Sequence, residues 1–384
     1  MGRIMKLTIL GATGSIGAST ADVMLRHPDK FSAYALVGHR NSSRMLMLAK
    51  QLKPEYVVMT DEQAAKKLKG ELPQGVRLEV GMDAAIAVSQ AKDVDMVMAA
   101  MVGSAGLPAA LAAVRAGKRV GLANKECLVT AGRIFMAEAK KYGATVVPVD
   151  SEHAAVHQAL LGHDHASITR IILTASGGPF RERDPQTLKN VTPEEAIAHP
   201  NWDMGAKISV DSATMMNKAL ELIEARWLFD MPAEKLSAII HPQSIVHAMV
   251  EYRDGAVLAQ LAEPDMRSPI AYALQAGERL DAGIPWLDLA KTGRLDFQAV
   301  DEARFPAMRL VQDVMRGGDA LAIALNAANE EANQAFRDRQ LGFMDIVSTV
   351  EEVLNQTQDV AMTSLDDVWA CDQQARQIAQ KVMG

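Results

Sequence analysis

ILGATGSIG, residues 9–17, joins an apolar run to a stretch of helical periodicity, SIGASTADVMLRH, that begins at Ser15. Gly11, Gly14 and Gly17 fall in the joining turn. Glycine there permits a tight turn, lets backbone approach a pyrophosphate, and allows the following helix to pack closely. The helix N-terminus then offers N–H donors and partial positive charge to the phosphates. The spacing is GxxGxxG, a variant of the dinucleotide fingerprint. In a strand–turn–helix setting it reads as a cofactor loop in preference to a mere packing turn.

Short β-branched runs continue outward from this loop: YALVG (34–38), YVVMT (56–60), MVMAAMVG (96–103), RVGLAN (119–124) and ATVVPVD (144–150), separated by amphipathic stretches. Strands alternating with helices predict an α/β fold with a Rossmann-like, doubly wound parallel sheet over residues 1–150. The end of the second strand selects the nucleotide. An NAD enzyme places Asp or Glu there, whereas this chain has Gly38-His39-Arg40-Asn41, with Arg44 following. An arginine fork suits a 2′-phosphate, so NADP(H) is expected over NAD(H), the alternative being solvated loop charges.

At 384 residues the chain exceeds one ordinary core. After Asp150 the texture changes. ITRIILTASGG (168–178) and AKISVDS (206–212) read as buried strands, and VHAMVEYRDGAVLAQLAEP (246–264) as a hairpin turning at Asp254-Gly255. Residues 151–274 are therefore expected to form a central α+β catalytic domain. Gly277, Gly283, Pro285 and Gly293 mark residues 275–301 as a linker, and helical periodicity over 302–384 predicts a C-terminal all-α domain. The net charge of −7 argues against nucleic acid or an anionic membrane surface as partner. Cys127 and Cys371 have no metal-like spacing, MGRIMKLTIL reads as a strand with no cleavage site, and no long apolar span occurs. A reduced, cytoplasmic setting is expected.

Reactive residues cluster where strands end. VPVDSEHAAVHQ (147–158) closes an apolar strand with Asp150, Ser151, Glu152 and His153. Either a capped helix begins there or a metal or acid/base site sits at the carboxyl edge of the sheet. ANKECLV (123–129) places Asn124, Lys125 and Glu126 at the same edge. LTASGGPF (173–180) offers Ser176 and two glycines as a phosphate-cradling turn. HPNWDMGAKISVDSATMMNKALELIEARW (199–227) is densest, with Asn217, Lys218 and Glu221 on one helical face and Ser212 just before them. Converging carboxylates from Asp150, Glu152 and Glu221 would repel without a cation between them, and oxygen ligands suit Mg²⁺ or Mn²⁺ over zinc. Taken singly, Lys218 and Glu221 are an ordinary helix pair, His199 a loop histidine and Trp202 a core residue.

In order along the chain, ILGATGSIG, LANKECLV, PVDSEH, TASGGPFRE, the 199–227 block, IHPQSIVHAMVEY and LAEPDMRSPI resemble the 1-deoxy-D-xylulose 5-phosphate reductoisomerase family of isoprenoid biosynthesis. The resemblance covers the whole chain and is weakest over 50–95 and after 340. It implies NADPH-dependent rearrangement and reduction of 1-deoxy-D-xylulose 5-phosphate to 2-C-methyl-D-erythritol 4-phosphate by a homodimer. Asp150, Glu152 and Glu221 match the family's ligands for Mg²⁺, Mn²⁺ or Co²⁺. Lys125 and Ser151 match residues at the substrate backbone; Ser176, Ser212, Asn217 and Lys218 match the phosphate pocket. His199 matches a substrate contact, and Trp202 and Met204 lie in the flexible loop. Lys125, His199 and the three carboxylates would be the catalytic set. Thr13, Gly14, Ser15, Ile16, Gly38, Arg40, Asn41, Asn124, Glu126 and Gly205 match the cofactor side. Where the family commonly reads SEHNAIFQ, this chain has Ala154 and His157, and Arg40 stands where lysine is frequent. Two other readings remain open on the residues alone: a semialdehyde-dehydrogenase type of enzyme using Cys127, or a non-enzymatic NADP sensor.

Overall fold

A computed structural model describes residues 3–202, 204–275 and 279–384. Part of the expected linker, residues 276–278 with Gly277, lies outside the described residues. The chain forms two compact units: Met1–Cys127 with Phe135–Ala154 and Asp265–Pro285, and Leu128–Ile134 with Ala155–Pro264 and Trp286–Gly384.

The first unit is built on a seven-stranded parallel sheet of order β4-β3-β2-β1-β5-β6-β7. Its strands are β1 Met5–Leu10, β2 Phe31–Gly38, β3 Tyr56–Met59, β4 Arg77–Val80, β5 Met96–Ala99, β6 Arg119–Leu122 and β7 Thr145–Pro148. The fold is α/β and doubly wound, as the alternating pattern predicts. Leu7, Ile9, Leu36, Val57, Met96 and Met98 are fully buried and aligned by register on one face of the sheet, each side chain contributing about 1.5–3 kcal/mol. The order reverses between β1 and β5, and sheets of this kind bind ligands at such a switch point, beyond the strands' carboxyl ends. Strand β4 has no counterpart in the sequence reading. RLEV at the sheet edge is largely exposed, so it lacks the apolar run that announces a buried strand. The 265–285 segment belongs to this unit: Arg267 pairs with Asp265 at 2.6 Å and with Asp22 at 3.1 Å, tying Arg267–Leu274 to the Ser15–Arg26 helix.

The second unit carries a mixed sheet of order β11-β10-β8-β9: β8 Ile168–Ala175, β9 Leu236–Ile240, β10 Val246–Tyr252 and β11 Val257–Leu261. β10 and β11 form the expected antiparallel hairpin, with Gly255 at φ +86° in its turn. The helices Ala307–Arg316, Asp319–Arg337, Asp345–Asn355 and Leu365–Met383 share one apolar core with this sheet and with the Met216–Leu228 helix. Small residues at Ala322, Ala324, Ala327 and Ala328 let the central helix approach its neighbours closely.

One assignment changes. The run AKISVDSA is not a strand but the helix Ala206–Ala213. Its β-branched residues favour a strand locally, yet Ser209, Val210 and Ala213 are buried at helical spacing and Lys207 pairs with Asp211 at 2.9 Å one turn on. Tertiary burial overrides a weak local preference.

Candidate active site

In the first unit the expected ligand-binding residues follow the carboxyl ends of the strands. Gly11, at φ +79°, packs so closely under Ala100 that a Cβ would lie 2.2 Å from its carbonyl oxygen. That contact draws the β1 turn against the end of β5. Gly14 then starts the Ser15–Arg26 helix in extended geometry, with no side-chain cap and no acidic residue in the first turn. The orphan N–H groups of Ser15 and Ile16 are thereby left for an anion. Gly38, ending β2, allows Thr13 and Met45 to close over it: a Cβ would meet Met45 Cε at 2.7 Å and Thr13 Cγ2 at 3.3 Å. Asn41 Oδ1 accepts the Arg44 N–H at 3.0 Å and caps the Ser42–Leu52 helix. The exposed Arg40 guanidinium stands 3.5 Å from Asp61 and is directed into solvent at the strand ends.

Beyond β6, the buried Asn124 amide donates to the carbonyls of Met101 and, at 3.0 Å, Gly103. Its own Oδ1 is buried with no hydrogen-bond partner among the described residues, an acceptor available to a ligand. Lys125 and Glu126 are buried as the next helix, Glu126–Tyr142, begins. Lys125 Nζ donates to Asp150 Oδ2 at 3.0 Å, joining the ends of β6 and β7. Asp150 Oδ1 accepts the Glu152 N–H at 3.2 Å, and His153 Nδ1 stands 3.4 Å from it. The Ser151 hydroxyl donates to the Glu152 carboxylate. Asp150 thus both caps the Ser151–Ala159 helix and faces a buried ammonium, as the cap reading of VPVDSEH expects. Ala154 is buried in the core of this unit. Cys127 is fully buried, which withholds the thiol that a semialdehyde-type mechanism needs at a substrate.

In the second unit the turn after β8 and the 199–228 segment form one polar cluster. Gly177 and Gly178 have φ of +81° and +66°, and the Gly178 backbone lies against the 206–213 helix. Ser176 Oγ accepts the Gly178 N–H at 3.1 Å and lies 2.9 Å from His199 Nε2. His199 Nδ1 accepts the N–H groups of Asn201 at 3.2 Å and Trp202 at 3.0 Å. Those donors require an unprotonated Nδ1, so the ring proton sits on Nε2 and is donated to Ser176. Burial of His199 lowers its pKa from 6.5 to about 4, which keeps the ring neutral. With both contacts accepted by Ser176 Oγ, the serine proton is directed elsewhere.

Met215, at φ +62°, breaks the chain between the Ala206–Ala213 and Met216–Leu228 helices. Ser212 thus ends one helix while Asn217 and Lys218 open the next, where N–H groups also gather. Lys218 and Glu221 are 3% and 1% exposed and form an ion pair, and the Asn217 amide donates to the same carboxylate. A pair so buried is not an ordinary surface helix pair, because two desolvated charges need compensation from each other or from a ligand. Trp202 is half-buried, its ring 6.2 Å from that of His247, and Gly205 opens the 206–213 helix in extended geometry. Met204 is half-buried. Sequence reasoning missed a polar set behind Ser212: the buried Asp211, Asn329 and Asn333 with the partly buried Lys207. The spacing of Asn326, Asn329 and Asn333 on an otherwise apolar helix face was the available signal.

Comparison with known proteins matches the chain to the family model of 1-deoxy-D-xylulose 5-phosphate reductoisomerase over residues 7–132. The model of its C-terminal domain matches over 146–229, and a further DXP reductoisomerase C-terminal domain model over 261–378. A 1-deoxy-D-xylulose 5-phosphate reductoisomerase of Pseudomonas aeruginosa (strain UCBPP-PA14) is 51% identical over 387 residues, covering 99% of this chain and 98% of that protein. One from Burkholderia multivorans is 51% identical over 383 residues, covering 98% and 96%. The solved reductoisomerase of Zymomonas mobilis in complex with NADPH superposes with a TM-score of 0.92 at 43% identity, covering 100% of this chain and 99% of that one. A DOX-P reductoisomerase in complex with NADPH, fosmidomycin and magnesium gives a TM-score of 0.93 at 40% identity, covering 99% and 98%.

Proposed function

The chain belongs to the 1-deoxy-D-xylulose 5-phosphate reductoisomerase family, and from that membership we propose the following account of its chemistry. It is an NADPH- and divalent-metal-dependent enzyme of isoprenoid biosynthesis that converts 1-deoxy-D-xylulose 5-phosphate to 2-C-methyl-D-erythritol 4-phosphate. The substrate skeleton rearranges to an aldehyde, and hydride from NADPH reduces that aldehyde while its oxygen takes up a proton. The observation that supports the site assignment is the pairing of the buried Lys125 ammonium with the partly buried Asp150 at the carboxyl edge of the parallel sheet.

The cofactor would be held by Thr13, Gly14, Ser15 and Ile16 at its phosphates and by Gly38, Arg40 and Asn41 at its 2′-phosphate, with Asn124, Glu126 and Gly205 also matching the cofactor side. The uncapped helix at Ser15 and the exposed Arg40 support this reading. Asp150, Glu152 and Glu221, which match the family's ligands, would hold a divalent cation. Their fit rests on chemistry: all donors are carboxylate oxygens, suited to Mg²⁺ or to Mn²⁺ or Co²⁺, and Asp150 and Glu152 stand together where β7 ends. When bound, the ion supplies Lewis acidity and a template for the substrate's ketone and hydroxyl oxygens. Lys125 and Ser151 orient the substrate backbone. Ser176, Ser212, Asn217 and Lys218 hold its phosphate through hydroxyl, amide and ammonium donors. His199, neutral and locked by Asn201 and Trp202, fixes the Ser176 hydroxyl and contacts the substrate. Trp202 and Met204 form a lid whose closure excludes water from the aldehyde.

Two finer assignments accompany this. The enzyme is a homodimer, supported by the sheet-edge strand β11, where Val257 and Leu258 are 50% and 37% exposed, a ready template for pairing. It acts in the cytoplasm, in keeping with a sequence that holds only two cysteines. Among the described residues no helix is long and apolar enough to cross a membrane. Purified protein given 1-deoxy-D-xylulose 5-phosphate and Mg²⁺ should consume NADPH, and excess chelator should stop it. NADPH binding without consumption under any divalent metal would overturn the assignment.

A further inference from the structure

Behind Ser212 lies a carboxylate that the chemistry above does not use. Asp211 is 1% exposed. Its Oδ2 faces Lys207 Nζ at 2.9 Å, one turn earlier in the same helix. Its Oδ1 accepts amide protons from Asn329 at 2.9 Å and Asn333 at 2.8 Å, both on the Asp319–Arg337 helix. Asn333 also donates to the Lys207 carbonyl at 2.9 Å, and its Oδ1 accepts from Arg337 Nε at 2.8 Å. The guanidinium on one side and the carboxylate on the other fix which way that amide points. Asn329 turns its nitrogen to Asp211 even though its own Oδ1 then has no hydrogen-bond partner among the described residues.

A desolvated carboxylate is costly unless fully engaged, so this arrangement needs a reason. The 206–213 helix supplies one. It is eight residues long, has no side-chain N-cap and carries β-branched residues, so alone it would not hold its shape. It nonetheless ends in Ser212, whose carbonyl is the surface against which the Gly178 turn packs. Wherever this helix sits, both walls of the cluster follow.

We propose that Asp211, held by Asn329 and Asn333, is the positioning residue for Ser212, so that the C-terminal helix Asp319–Arg337 sets the enzyme's affinity for the substrate phosphate. This rests on the reading that Ser212 binds that phosphate.

The test uses the full-length enzyme with 1-deoxy-D-xylulose 5-phosphate as substrate and inorganic phosphate as competitive inhibitor. Asp211→Asn should raise KM and the phosphate Ki together by about tenfold, since small misplacements of a binding group carry such penalties. kcat should stay within roughly threefold and the NADPH Kd should not move. Asn333→Leu, which leaves Asp211 charged, should shift both constants the same way and carries the test if Asp211→Asn does not fold. In a Ser212→Ala background, Asp211→Asn should add less than about twofold, because residues acting through one another are not additive. A folded Asp211→Asn enzyme with unchanged phosphate Ki overturns the proposal, as does full multiplication of the two effects in the double variant. If Ser212→Ala alone leaves the phosphate Ki unchanged, the phosphate reading of Ser212 is what has failed, and the proposal falls with it.

Discussion

Replacing Gly178 by alanine would put two faults into the turn that follows β8. The residue sits at φ +66°, where a side chain costs about 1–2 kcal/mol. The new Cβ would also lie 2.8 Å from the Ser212 carbonyl oxygen and 3.0 Å from Ala213 Cα, against 3.4 Å for ordinary contact. Both neighbours are backbone, so relief requires the 206–213 helix or the turn to give by about 0.6 Å. Overpacking of that kind costs roughly 1–3 kcal/mol, while alanine's stiffer unfolded chain returns about 0.4–1 kcal/mol. The net destabilisation is about 1–5 kcal/mol. A shift of that size beside Ser212 should also raise KM for the phosphorylated substrate by about tenfold with little change in NADPH affinity. Urea titration followed by circular dichroism gives the first quantity and steady-state kinetics the second. A Gly178→Ala enzyme with unaltered midpoint and unaltered KM would refute the claim that the turn and the Ser212 helix are packed as one wall.

Further predictions follow from other parts of the site. Burial holds His199 down to about pH 4, so the unfolded chain, titrating near 6.5, takes up the proton first. Stability should therefore fall as pH drops from 6.5 toward 4 and be indifferent to this group above 6.5; NMR of the imidazole should give a midpoint near 4, and one between 6 and 7 would contradict its locked, neutral state. Arg40→Ala should raise the KM for NADPH by roughly tenfold and leave that for NADH unchanged, which parallel kinetics with both cofactors would read. Lys125→Met leaves Asp150 without its 3.0 Å ammonium partner. Its melting temperature should fall in chelator and rise more steeply with added Mg²⁺ than that of the unaltered enzyme; an equal response would place Lys125 outside the carboxylate site.

The parts of this molecule that were legible in its sequence are those where local pattern and burial agree. LTILG and YALVG are apolar because both faces of a parallel strand are covered, and the proposed cofactor residues follow their ends, where folds of this kind keep ligands. VPVDSEH was legible for the same reason, an apolar strand stopped by charge. RLEV was not, since an exposed edge strand has no apolar signature. AKISVDSA misled because isoleucine and valine favour a strand until Asn329 and Asn333, more than a hundred residues away, fasten Asp211 within a helix. Long-range polar fastening leaves little trace in a local window. The same holds for Asp265–Pro285, whose return to the first unit rests on Arg267 reaching Asp22.

The central proposal is that Asp150, Glu152 and Glu221 serve one divalent cation, and titration of Mn²⁺ followed by electron paramagnetic resonance tests it without reference to turnover. The unaltered chain should bind one Mn²⁺ at the site, and Asp150→Asn, Glu152→Gln and Glu221→Gln should each weaken that binding by at least about tenfold. Glu221→Gln binding Mn²⁺ as tightly as the unaltered chain would contradict the account, because Glu221 would then contribute nothing to the metal.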